Sequence, residues 1–174
     1  MGRSKTNKNC HNLAKKYKIN KIYKNYFEMA EDKNIDAFLV LVSADLIYKV
    51  LNHLIPLKKP FFTEKPPGLN FNQTKKLSLK CKKYKTLNMV GFNRRFYSIF
   101  QKGKKIIEDH GKLLALSIEG HERFWLLKKT KKMNKIILNN WIYANSTHTI
   151  DLIRFFGGEI TKINSSSSKF KSRN

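Results

Sequence analysis

The stretch Phe61-Phe62-Thr63-Glu64-Lys65-Pro66-Pro67-Gly68 constrains this chain more than any other. Two aromatic residues and a threonine read as the end of a buried strand, and the paired prolines forbid both a helix and further ladder pairing. A lysine is thereby fixed at the carboxyl end of a strand. In an open α/β sheet that end is where ligands bind, so a cation placed there serves a phosphate, a cofactor ribose or a substrate hydroxyl. The plainer alternative is a solvated lysine in a turn that only stops the strand.

The surrounding pattern predicts alternating helices and strands. Leu13, Ala14 and Tyr17 recur at helical spacing over residues 8–17, and Tyr23, Tyr26, Phe27 and Ala30 do so over 23–31. Residues 37–42 form an apolar run without alternation, the signature of a parallel strand covered on both faces. Ser43-Ala44-Asp45 then opens a helix whose stripe is Leu46, Ile47, Val50, Leu51 and Leu54, with Asp45 favourable to the dipole. A strand over 60–63 completes a strand–helix–strand crossover. A helix over 71–83 and a strand over 87–91 repeat the unit.

Past residue 91 the pattern changes. A helix over 97–109 closes at His110-Gly111, and 113–120 reads as a strand of a different sheet. Residues 121–135 read as a basic loop, 136–138 lack context, 146–156 carry a helical stripe ended by Gly157-Gly158, and 160–165 read as one more strand. The expected organisation is an α/β unit over 1–91, an α+β unit over 92–165 and a disordered Ser-rich tail over 166–174.

A formal charge of +24 would ordinarily point to nucleic acid or an anionic membrane. The lysine pairs are spread along the whole chain beside abundant Asn and Ile, however, and no basic patch with interleaved stacking aromatics stands out. The expectation is therefore no specific nucleic-acid partner and no membrane. A non-catalytic basic protein contacting nucleic acid or acidic polymers is the alternative function. Cys10 and Cys81 form no CxxC pair, and no apolar run near Met1 resembles a signal peptide, which places the chain in a reducing cytoplasm.

Two further stretches could carry chemistry. In Asn145-Ser146-Thr147-His148-Thr149-Ile150-Asp151, a cap at Asn145 or Ser146 puts His148 in the first helical turn. Asp151 lies three residues on, near enough to orient the imidazole. A histidine titrating near neutrality suits alcohol–carbonyl interconversion, and it equally suits a helix start satisfied by a neighbour. Arg94 and Arg95 follow a strand end, where two guanidinium groups either clamp a carboxylate or phosphate or make ion pairs between the two units. No metal site is expected, with His121 and Glu122 as candidates only by default.

Together these stretches resemble the Gfo/Idh/MocA oxidoreductases, over residues 2 to about 165. Glu64-Lys65-Pro66 is similar to the family's EKP signature, residues 91–96 to its interdomain segment, and His148-Thr149-Ile150-Asp151 with Arg154 to its H-x-x-D helix. The resemblance implies an N-terminal Rossmann domain and a C-terminal α+β domain. It further implies hydride transfer between NAD or NADP and a sugar or cyclitol alcohol, with Lys65 and His148 as catalytic residues. It places Ser43, Ala44, Asp45, Glu64, Lys65 and Pro66 at the cofactor and Arg94, Arg95, Asn145 and Asp151 at a small sugar-like substrate; the full-length form is expected to form a homo-oligomer. Against the family pattern, no G-x-G-x-x-G occurs, Ala144 stands where Asp is usual, and Tyr48 stands where His is common. These departures imply a Rossmann sheet lacking its first strand and glycine-rich loop, a C-terminal sheet cut after its second strand, weak or absent NAD(P) binding by these 174 residues alone, and weak or no activity.

Overall fold

The computed structural model describes residues 10–123, 126 and 134–168. The expected loop over 121–135 and the tail over 166–174 thus lie largely outside the described residues, as do the first two residues of the expected helix over 8–17. The chain divides into two compact units. One runs to Phe92 and takes in Glu122–Thr147, and the other comprises Asn93–His121 and the residues from His148 onward.

The first unit is built on three parallel strands in the order β1 (Phe38–Val40), β2 (Phe61–Thr63), β3 (Asn88–Val90). Phe38, Phe61 and Asn88 are in register, as are Leu39, Phe62 and Met89, then Val40, Thr63 and Val90. Parallel neighbours need crossovers, and the two helices between them supply these. The first, α3 (Ala44–Leu54), turns Ile47, Val50, Leu51 and Leu54 inward at the 3.6-residue period. With Phe38, Val40, Phe61 and Leu77 they make one continuous core.

The second crossover helix, α4 (Phe71–Tyr84), is capped by Asn70, whose side chain accepts from the Gln73 amide at 2.9 Å, while Gln73 accepts from the Leu69 amide at 2.8 Å. This reciprocal cap satisfies two donors that the helix itself leaves unpaired. Gly68 precedes it because a Cβ there would lie 2.6 Å from the Gln73 Cβ. Two short helices, α1 (Cys10–Lys16) and α2 (Tyr26–Glu31), lead into the sheet, the latter capped by Asn25.

One expectation fails at the sheet. The run over 37–42 is a strand only at Phe38–Val40, and its burial alternates. Leu39 remains 73% exposed and its register neighbour Met89 48% exposed. The core gathers Phe38, Val40 and Phe61 on one face of the sheet, and Leu39 and Met89 stand on the other.

The second unit contains a 3-10 turn at Asn93–Phe96, α5 (Ser98–His110) and, from its second residue His148 onward, α7 (Thr147–Gly157). The strands expected over 113–120 and 160–165 do not form. A strand needs a ladder partner, and among the described residues neither segment has one. Residues 113–120 instead carry no regular secondary structure, and Gly120 passes so near Thr149 that a Cβ would sit 3.0 Å from its hydroxyl. Gly158, at φ +84°, closes α7 by donating to the Arg154 carbonyl at 3.0 Å. Residues 136–138, without context in the sequence, lie in α6 (Lys135–Asn139) of the first unit. Among the described residues no helix is long and apolar enough to cross a membrane.

Candidate functional site

At the carboxyl ends of β1 and β2 the backbone itself organises the first unit's site. The Glu64 amide donates to the Val40 carbonyl at 3.1 Å, so the chain leaving β2 is tied to the end of β1. The Gly91 amide donates to the Thr63 carbonyl at 2.8 Å on the other side. Pro66, buried and joined to Lys65 through a cis peptide, removes any further donor from the ladder. Lys65 is left half-buried at the sheet's end, as the octapeptide predicts.

The ammonium of Lys65 donates to the carbonyl of Ala144 at 2.6 Å. Ala144 lies in a π-helical turn, Ile142–Ser146, within the same unit. A turn of that kind breaks the regular i to i−4 pairing of an α-helix, and such turns often mark functional positions. The Ala144 oxygen thereby meets a side chain 79 positions away.

The opening of α3 forms the other wall. Ser43 takes the N-cap position with its side chain exposed, and Asp45 sits in the first turn, where a carboxylate suits the helix dipole. One Asp45 oxygen accepts from the Asn134 side chain at 2.9 Å. The other is buried and has no hydrogen-bond partner among the described residues. Leu41 and Val42, between β1 and α3, present apolar surface to solvent. Asn145, on the π turn, donates its side-chain amide to Glu122. Tyr48 packs against the core.

In the second unit Arg95 and Asp151 pair with each other. Nε and Nη2 of Arg95 reach Oδ2 and Oδ1 of Asp151, each at 2.6 Å, a two-pronged match of planar groups. The Asp151 side chain is 5% exposed and that of Arg95 34%. The hydrogen bonds that Arg95 donates to the carboxylate raise its pKa further above the ordinary value. Of the two uses open to these arginines, Arg95 is therefore in an ion pair, and the pair lies within one unit rather than between two. Asp151 holds the guanidinium. His148 is buried at the start of α7, and Arg94 is half-buried on the 3-10 turn. His121 pairs with Glu119 at 3.1 Å, and among the described residues no group of three or more His, Cys, Asp or Glu is placed to hold a metal ion.

Sequence reasoning missed Asn134, the pairing of Glu122 with Asn145 and the role of the Ala144 carbonyl. An asparagine before Lys-Ile-Ile-Leu is a legible helix cap, and Asn134 does accept from the Ile136 amide. A backbone carbonyl leaves no such trace.

Comparison with known proteins bears on the family and the fold. The family model for oxidoreductases with an NAD-binding Rossmann fold, Gfo/Idh/MocA, matches residues 3–92. Myo-inositol 2-dehydrogenase of Thermotoga maritima is 30% identical over 150 residues, which cover 84% of this chain and 43% of that enzyme. The crystal structure of myo-inositol 2-dehydrogenase from Lactobacillus plantarum superposes with a TM-score of 0.69 at 25% identity, covering 83% of this chain and 44% of that one. Scyllo-inositol dehydrogenase from Lactobacillus casei shares the fold, with a TM-score of 0.64 at 21% identity over 84% of this chain and 43% of its own. The chain thus spans less than half the length of the relatives it matches.

Proposed function

The chain belongs to the Gfo/Idh/MocA oxidoreductase family, with its NAD-binding Rossmann fold, and from that premise we propose that it serves hydride transfer between a nicotinamide dinucleotide and a cyclitol or related sugar-like alcohol. The observation that carries this reading is the ammonium of Lys65, half-buried where β2 ends and docked on the Ala144 carbonyl. A cation held there suits a hydroxyl that must lose its proton as the carbinol carbon loses hydride.

The residues present fit the nicotinamide-ribose half of the cofactor. Asp45 offers a buried carboxylate oxygen able to accept from a hydroxyl, and Leu41 and Val42 offer apolar surface for a flat ring. When bound, the nicotinamide supplies the hydride acceptor or donor. Ser43, Ala44, Asp45, Glu64 and Pro66 shape the surface that would hold it, whether the dinucleotide is NAD or NADP. To Lys65 we assign the hydroxyl proton and to Asn145 one of the substrate's remaining hydroxyls, both within the first unit; for His148 and Arg94 the roles are those the family resemblance implies. Arg95 and Asp151, engaged with each other, fix α7 in its unit. The names of the inositol dehydrogenases that the chain resembles make a cyclitol the first substrate to supply.

Nitrogen-15 NMR titration with nicotinamide mononucleotide tests this reading. Shifts should concentrate at residues 41–45 and 64–66, with roughly millimolar affinity, and Lys65→Met should weaken binding about fivefold. NAD should bind at most about threefold tighter, because no G-x-G-x-x-G turn offers its amides to the pyrophosphate. Shifts lying elsewhere, or a Lys65→Met chain that binds as well as the parent, would overturn it.

A further inference from the structure

A groove of about 560 Å³ runs between α4 and the core-side edge of β2 and β3. Its origin is in the sequence of α4. Thr74, Leu77, Ser78 and Cys81 recur at helical spacing on the face that lines the groove, and Leu77 is the single buried residue of the helix. The short side chains beside Leu77 do not fill the space above Phe61 and Val90. The floor is apolar. The mouth carries two cations, Lys82 in the last turn of α4 and Lys85 at its left-handed cap, φ +53°. No acidic side chain lines the groove among the described residues.

We propose that this groove binds a single-chain amphiphile with one anionic head group, its tail along Leu77, Phe61 and Val90 and its head between Lys82 and Lys85. The volume falls in the range of small-ligand sites. The charge is one-sided, and it stands at one end of an apolar floor, which distinguishes an amphiphile from a plain anion or a plain hydrocarbon. None of residues 41–45 and 64–66 lines the groove, so the proposal stands apart from the dehydrogenase reading.

Calorimetric titration with decanoate, below its micellar concentration, reads the site. The expected result is one decanoate per chain with a dissociation constant on the order of 100 μM, and clearly weaker binding of decanol. The double variant Lys82→Gln/Lys85→Gln should lose about tenfold in affinity, whereas Lys75→Gln/Lys76→Gln, on the same helix outside the groove, should bind as the parent does. Cys81 lines the groove, and burial pushes its thiol above the ordinary value. Saturating decanoate should slow its alkylation by N-ethylmaleimide, a readout that needs no variant to fold. Equal loss in the Lys75/Lys76 variant, decanol binding as tightly as decanoate, or unprotected Cys81 would each overturn the proposal.

Discussion

Asp32 gathers three parts of the chain at one carboxylate. Its Oδ2 accepts from the Lys21 ammonium at 2.5 Å and from the Tyr23 hydroxyl at 2.6 Å, and its Oδ1 accepts from the Asn34 amide at 2.9 Å. The Asp32 carbonyl accepts from Lys59 at 2.7 Å, which ties the same turn to the residues before β2. These donors favour the ionised form, the Lys21 bond foremost, and hold the Asp32 carboxyl far below the usual carboxylate range. Lys21 and Tyr23 are pushed upward in return, each chiefly by its bond to Asp32. A depressed carboxylate stabilises the fold above its unfolded value, about 4, and loses that contribution as pH falls through the folded value. The raised lysine and phenol act in the opposite sense, contributing below about pH 10 and losing it as pH rises. Asp32→Asn should therefore melt below the parent at neutral pH, and the two melting temperatures should converge as pH drops below about 4. A gap that stays constant from neutral to acid pH in calorimetric scans would show that the cluster does not titrate with folding.

At the scale of elements, helices were more legible than strands, and the reason is physical. The apolar stripe of α3, the flanking Asn70 before α4 and Gly158 after α7 are local signals, each acting within one helical turn. A strand takes its stability from a partner distant in sequence. Residues 113–120 carry strand-like alternation and yet form no ladder, while Phe38–Val40, Phe61–Thr63 and Asn88–Val90 are only three residues each and find one another. What the second unit has in place of a ladder is the Arg95–Asp151 pair between its 3-10 turn and α7, flanked by Phe155, over whose ring Arg95 lies at 5.7 Å and Lys104 at 4.6 Å. Removing the guanidinium leaves Asp151 buried and charged without its partner. Arg95→Met should cost about 2 kcal/mol, less than a fully buried pair because the arginine is partly exposed. Arg95→Lys should recover part of that loss, since lysine keeps the charge but not the parallel N–H fork. Urea titration separates the two; equal midpoints for the parent and Arg95→Met would mean the pair contributes nothing to holding α7.

At the scale of the whole molecule, what the sequence concealed was long-range pairing and what it displayed was charge. The position of Lys65 was readable because Thr63, Pro66 and Pro67 fix it locally, but its docking on Ala144 and the engagement of Asp45 by Asn134 span 79 and 89 positions. Charge needs no such pairing to be counted. With 36 lysines and arginines against 12 acids, repulsion among like charges opposes compaction everywhere at once. The ion pairs at Asp32 and Asp151, each with one largely buried partner, are local exceptions in a field of one sign. Salt screens exposed charges beyond about 10 Å at 0.1 M and about 3 Å at 1 M, while short, partly buried pairs are screened much less. Added sodium chloride should therefore relieve more repulsion than it removes attraction. The melting temperature should rise by several degrees, roughly 2–4 °C for each kcal/mol relieved in a chain of this length, between about 20 mM and 500 mM salt. A dedicated nucleic-acid surface would predict a different balance, with its repulsion confined to one patch and most salt dependence appearing only in the presence of a polyanion. Melting temperatures that stay flat or fall with salt would show that the lysines already sit far enough apart in the folded chain to ignore one another.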